Sequence, residues 1–171
     1  MTHTIYLAAG CFWGAQRYFD CLSGVIKTEV GYANGKTAAP TYEQVKHENT
    51  GHAETVQVEF DPERITLSEL LQQYFEVIDP VSLNRQGGDV GTQYRTGIYY
   101  TDDADLPIIE SELRELQTHY SEPLAVEAMP LENFYTAEEY HQKYLDKNPT
   151  GYCHISPKMF EAARRFKHKN D

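Results

Sequence analysis

The chain has 171 residues, three of them cysteine, and a formal net charge of −11 at pH 7. That length suits one domain with a proper core, and the charge argues against a nucleic-acid backbone or an anionic membrane as partner. No run approaches a transmembrane helix, Met1-Thr2-His3-Thr4 lacks the basic region of a secretory signal, and the odd cysteine count argues against a structural disulfide framework, so a reducing, cytoplasmic location is expected.

Ile5-Tyr6-Leu7-Ala8-Ala9 reads as a strand, and Gly10-Cys11-Phe12-Trp13-Gly14 follows it directly. Beyond the turn, Ala15, Phe19 and Leu22 keep a helical spacing, with Phe12 in phase and Trp13 on the side of Arg17 and Asp20. A cysteine at a strand-to-helix turn faces unpaired backbone N–H groups that favour a thiolate. Such cysteines fall from a pKa of about 8.5 to roughly 3.5–7.5. Cys11 is therefore a candidate nucleophile beside an aromatic wall; the competing reading is a buried structural cysteine.

Gly24 ends the helix, and Val25 to Tyr32 reads as a strand. Asn34-Gly35 and Pro40 mark an irregular connection before a short helix over Thr41 to Glu48. The clearest alternation is Glu54-Thr55-Val56-Gln57-Val58-Glu59-Phe60. Glu54 shares the parity of Val56, Val58 and Phe60, which places a carboxyl at the end of a buried row where desolvation raises its pKa. The competing reading lets Glu54 reach water past the strand end. Thr66-Leu67-Ser68-Glu69 is a capping box opening a helix over Leu67 to Ile78, and Asp79-Pro80 stops it. The polar, glycine-rich stretch 84–95 runs into a strand over Gly97 to Thr101.

Asp102 to Tyr120 contains a helix with Ile108, Ile109, Leu113 and Leu116 inward, and Leu124 to Met129 reads as a strand. Thr136-Ala137-Glu138-Glu139 reads as a second capping box, opening a helix to about Asp146. Turn residues dominate from Asn148, Cys153 lies among them, and Lys158 to Asp171 holds a short basic helix. Without repeat or linker, residues 1–171 read as one catalytic domain with a mobile C-terminal tract from about residue 148. Intermixed helices and strands make the fold class α+β.

Gly10 to Gly14 resembles the signature of the peptide methionine sulfoxide reductase A family. The resemblance continues through Val30-Gly31-Tyr32, Pro40 to Val45, Thr50 to Glu54, Phe75 to Pro80, Asn84 to Arg95 and Ala137 to Gln142. It implies a two-layer sandwich, a mixed or antiparallel sheet with helices packed on it around a ferredoxin-like core. It also implies reduction of the S epimer of methionine sulfoxide, free or protein-bound, a reaction already attached to this enzyme in general chemistry. By the same resemblance Cys11 is the nucleophile and Glu54 the acid. Phe12 and Trp13 hold the S-methyl group, Tyr42 and Tyr94 flank the sulfoxide oxygen, and Asp89 is a polar pocket residue. Cys153 is the resolving thiol that condenses with a Cys11 sulfenic acid, and thioredoxin, or dithiothreitol in vitro, reduces the disulfide. No bound cofactor or metal is implied. Family members usually carry Asn where Gly88 stands, and Cys21 matches no family role.

Three rivals share some of these residues. A thiol peroxidase uses a low-pKa cysteine and a resolving partner but does not account for Trp13 or Glu54. A Cys–His hydrolase draws on His52, His141 or His154. An interaction domain uses Trp13 as an exposed anchor. His47 and His52 stand five apart, not the four of a zinc-protease helix, so that metal motif fails.

Overall fold

Period-2 alternation in Thr4 to Ala9 and a 3.6-residue rhythm after Cys11 give the first two elements, β1 (His3–Ala9) and α1 (Phe12–Asp20). The computed structural model describes residues 1–168, so the end of the expected basic helix lies outside the described residues. The chain continues through β2 (Val25–Ala33), α2 (Tyr42–His47), β3 (Ala53–Phe60) and α3 (Leu67–Phe75). Two short strands, β4 (Arg85–Gln86) and β5 (Asp89–Val90), lead through a 3-10 turn at Thr92–Tyr94 into β6 (Thr96–Tyr100). Then come α4 (Leu106–Gln117), β7 (Glu127–Pro130), β8 (Phe134–Thr136), α5 (Tyr144–Lys147) and α6 (Pro157–Arg164).

The main sheet is six-stranded and mixed, in the order β7-β6-β1-β3-β2-β8. Only β6 and β7 are parallel; β1 pairs antiparallel with β3 and β6, and β2 with β3 and β8. One parity of each strand supplies the main core: Ile5 and Leu7 from β1, Val30 and Tyr32 from β2, Val56, Val58 and Phe60 from β3, and Ile98 from β6. Phe19 of α1, Leu70, Leu71 and Tyr74 of α3, Ile109 of α4 and Phe160 of α6 pack with them. The opposite parity gives a second, smaller cluster of Ala8, Ala33, Ala53 and Tyr99. Each fully buried large apolar side chain contributes about 1.5–3 kcal/mol.

The Thr66 capping box forms as expected, and Thr41 closes a second with Gln44. Tyr74 is pinned as well as buried: its hydroxyl donates to Ala8 O at 2.7 Å and accepts from Gly97 N at 3.1 Å, locking α3 onto the β1–β6 seam.

Four expectations need correction. Thr136 does not cap a helix: it pairs with Gly31 as part of β8. Glu139, the acid expected to complete that box, pairs with Lys147 at 3.9 Å, while the adjacent Glu138 carboxylate accepts from Tyr42 N (2.9 Å) and Tyr32 Oη (2.8 Å). The stretch to Asp146 breaks into a 3-10 turn at Glu139–His141 and the short α5, because the Gln142 side chain bonds the Val30 backbone and Lys143 is left-handed at φ 55°. The helix over α3 stops at Phe75, short of Ile78. Ile108 faces outward at 39% exposure, and Ile109 alone is fully buried on α4.

A candidate thiol–carboxyl active site

Gly10 makes the turn from β1 into α1 at φ +81°, a conformation that favours glycine, and the Gln86 side chain lies where a β-carbon would be. Gln86 is itself fixed by two bonds to the Asp79 backbone (2.8 and 3.0 Å), which docks the β4–β5 loop beside the turn. Cys11 follows as the N-cap of α1, 7% exposed. Its side chain caps no amide, but its sulfur interacts with the Trp13 N–H at the helix start.

That N–H lowers the thiol pKa as a helix amino end should, yet the outcome is the reverse of the expected thiolate. Burial, then the charge of Glu54, carry the Cys11 pKa well above its ordinary value. Desolvation outweighs the helix end because the sulfur lies almost entirely inside the protein, so the resting group is a thiol.

Glu54 lies inside β3, opposite Tyr32 of β2, and is 2% exposed. Its Oε1 accepts from the backbone N–H of Phe12 at 3.1 Å. Burial raises its pKa to about 8, partly opposed by that hydrogen bond, and Asp89 adds to the rise. The carboxyl is thus protonated at neutral pH and is tied to the residue after Cys11.

Tyr42, the first residue of α2, and Tyr94, at the end of the 3-10 turn before β6, complete the polar side. Burial raises both phenol pKa values, and the charges of Glu54 and Cys11 raise them further, so both hydroxyls stay protonated in the field of the acid and the sulfur. Neither hydroxyl has a hydrogen-bond partner among the described residues. Asp89 of β5 bears electrostatically on Cys11, Glu54 and Tyr94, and its Oδ2 accepts from Tyr152 Oη at 3.0 Å.

The aromatic pair divides. Phe12 is 1% exposed and belongs to the core, 5.7 Å from Tyr32 and 5.2 Å from His141 by ring centroid. Trp13 is half-buried; one face stacks on Tyr144 at 3.8 Å and 12°, and its Nε1 donates to His141 Nδ1 at 2.9 Å. His141, fully buried, is also 4.4 Å from the Tyr42 ring. It thus touches three site aromatics, a position that no sequence spacing announces. The available signal was indirect: a half-buried indole needs an acceptor for its N–H.

Cys153 sits against the same helix. Its Sγ lies 2.9 Å from where a β-carbon on Gly14 would be, one turn along α1 from Cys11. It donates to Ile155 O at 3.4 Å, and the neighbouring His154 Nε2 meets Ala9 O at 3.2 Å. All three cysteines are free thiols. Cys21, the C-cap of α1, is at the far end of the helix. Among the described residues, neither His52 nor His141 nor His154 hydrogen-bonds the Cys11 sulfur. His52 is occupied by Gly35 N (3.1 Å) and Thr37 O (2.7 Å).

A cysteine at a helix start, a protonated carboxyl bonded to the next amide and a second cysteine one helical turn away define a cysteine-dependent redox enzyme. The family model for peptide methionine sulfoxide reductase matches residues 3–171. The peptide methionine sulfoxide reductase MsrA of Lachnoclostridium phytofermentans is 60% identical over 164 residues, covering 96% of this chain and 99% of that protein. Among solved structures, Mxr1 from Saccharomyces cerevisiae in reduced form superposes with a TM-score of 0.83 at 42% identity, over 89% of this chain and 88% of that one. Mxr1 in complex with Trx2 superposes with a TM-score of 0.58 at 28% identity, over 84% of each. The chain belongs to the peptide methionine sulfoxide reductase family. Among the described residues, no helix is long and apolar enough to cross a membrane.

Proposed function

We propose that this chain reduces the S epimer of methionine sulfoxide, free or within a protein, through Cys11, Glu54 and Cys153. The observation that carries the reading is the buried Glu54 carboxyl, held protonated up to about pH 8 and bonded at 3.1 Å to the amide beside Cys11. A sulfoxide oxygen is a poor leaving group until it is protonated, and a general acid contributes typically about 10²–10⁴-fold to such a step.

The Tyr42 and Tyr94 hydroxyls donate to the sulfoxide oxygen, and the S-methyl rests on the open face of Trp13 and the edge of Phe12. Asp89 turns its carboxylate to the substrate once Tyr152 releases it. The Cys11 sulfur attacks the substrate sulfur while Glu54 gives its proton to the oxygen. The oxygen passes to Cys11 as a sulfenic acid, methionine leaves, and the thiol proton of Cys11 replaces the one Glu54 gave. Cys153 then attacks the sulfenic sulfur, releasing water and forming a Cys11–Cys153 disulfide. Thioredoxin reduces that disulfide, a partner supported by the Mxr1–Trx2 complex.

The chain folds as one domain, and the tract from about residue 148 shifts to carry Cys153 onto Cys11. The four central strands run β6-β1-β3-β2 with helices after β1 and β3, and the larger core lies between strands and helices. That supports a two-layer sandwich of ferredoxin-like type. A cytoplasmic location suits a cycle that needs free thiols.

The test is reduction of each methionine sulfoxide epimer, driven by thioredoxin or dithiothreitol. Cys11→Ser should be inactive with either. Cys153→Ser should complete one stoichiometric turnover and lose thioredoxin-driven cycling. Full cycling in Cys153→Ser would reject the resolving assignment, and activity on the R epimer alone would reject the substrate.

A further inference from the structure

Behind Cys153, away from Glu54, lies a cavity of about 440 Å³ between α1, α6 and the Cys153 tract. Cys153, Ile155 and Phe160 line it together with Arg17 of α1 and Arg164 of α6. The Arg17 guanidinium is held 5.3 Å from the Phe160 ring centroid. Among the described residues, neither Arg17 nor Arg164 has a carboxylate within ion-pair distance, although the chain carries 26 acidic residues against 15 lysines and arginines. Glu161, also on the wall, is paired with Arg165 at 3.6 Å. Two cations without ion pairs among the described residues, on the wall of one cavity that the Cys153 sulfur also lines, are the makings of an anion site with a thiol in its wall. Its volume suits a ligand of a few hundred daltons.

We propose that this cavity binds small carboxylate-bearing thiols and presents their sulfur to Cys153, giving the enzyme a reductant besides a protein dithiol. Arg17 and Arg164 pair with the carboxylates, and Ile155 and Phe160 cover the ligand's carbon skeleton. The ligand thiolate attacks the Cys153 sulfur of the Cys11–Cys153 disulfide, so the S–S bond breaks, Cys11 leaves as thiolate and takes up a proton, and Cys153 holds the mixed disulfide. A second thiolate attacks the ligand's sulfur and frees Cys153, so two thiols become one disulfide and the enzyme gains two electrons. The proposal rests on Cys153 as the resolving thiol, but the cavity can be tested without turnover.

In a full-length Cys11→Ser, Cys21→Ser protein only Cys153 exchanges with added disulfide. Its rate of modification by oxidised glutathione, relative to the uncharged bis(2-hydroxyethyl) disulfide, is read by intact-mass spectrometry. The ratio should favour glutathione and fall about three- to fivefold in Arg164→Gln, again in Arg17→Gln, and with added salt. Arg164 is exposed, so its variant keeps the fold even if Arg17→Gln loosens α6. A ratio near that of a short unstructured peptide with one cysteine, or one unchanged in Arg164→Gln, overturns the proposal. So does an unchanged ratio when the same arginine substitutions, made in the protein with all its cysteines, lose thioredoxin-driven turnover, which would make the arginines a protein-docking patch. Charge-selective exchange in a protein whose Cys153→Ser variant still cycles fully would keep the cavity and reject only the resolving role.

Discussion

Replacing Glu54 by Gln should silence the enzyme and stabilise it, with a gain that depends on pH. Gln keeps the size of the side chain and the acceptor for Phe12 N–H, so it imitates the protonated carboxyl without its acidity. The folded pKa of Glu54 is about 8, against an ordinary 4.5. Between those values the folded state holds a proton that the unfolded chain has released, so wild-type stability falls as pH rises through that window and levels off above it. At about 1.4 kcal/mol for each pH unit, the interval comes to an order-of-magnitude penalty of about 5 kcal/mol at its upper end. Glu54→Gln escapes it. In a chain of this size each kcal/mol moves the melting temperature by about 2–4 °C, so the variant should match wild type near pH 4.5 and exceed it by about 10–20 °C above pH 8. Melting by circular dichroism across that range, alongside kcat/KM, is the assay. Wild-type kcat/KM should fall as pH rises through about 8, and the variant should lose about 10²-fold or more. A stability difference that stays flat with pH, or a variant that keeps both its rate and the alkaline fall, would refute the buried-acid argument.

Two further substitutions separate structure from chemistry. Gly14→Ala puts a methyl 2.9 Å from Cys153 Sγ. The helix gains up to about 1 kcal/mol from alanine, so melting should hold or rise while formation of the Cys11–Cys153 disulfide, followed by thiol titration after one turnover, slows. Tyr74→Phe removes the acceptor of Gly97 N–H and the donor to Ala8 O inside a buried seam. It should cost about 1–3 kcal/mol in urea denaturation, and a smaller loss would show that the β1–β6 seam relaxes around the missing hydroxyl.

Local rules made much of the framework readable. The parity of Glu54 with Val56, Val58 and Phe60 placed it on the core face, and burial followed. Thr66 and Glu69 announced α3. Where the sequence misled, long-range partners had claimed the groups that local rules relied on. Thr136 reads as a helix cap until Gly31, on a strand more than a hundred residues earlier, pairs with it in the sheet. Cys11 reads as an acidic thiol because its neighbours in sequence are helix amides, but the low polarity around it comes from other elements. Arg17 and Arg164 meet only through α1–α6 packing, and nothing in their own segments foretells it.

The hydrogen bond from Phe12 to Glu54 has one more consequence. Successive amides of a single helical turn act on two different acids: Phe12 N–H donates to the Glu54 carboxyl, and Trp13 N–H favours the ionised form of the Cys11 sulfur. Negative charge on either discourages ionisation of the other, so the pair holds at most one charge with ease and behaves as a titrating couple. Whichever partner lets go of its hydrogen ion makes the other keep its own. With the lower value of the two, Glu54 is the first to let go as pH rises, so the shared charge falls on the carboxyl and the start of one helix works as an interlock that keeps the sulfur protonated once the acid is spent.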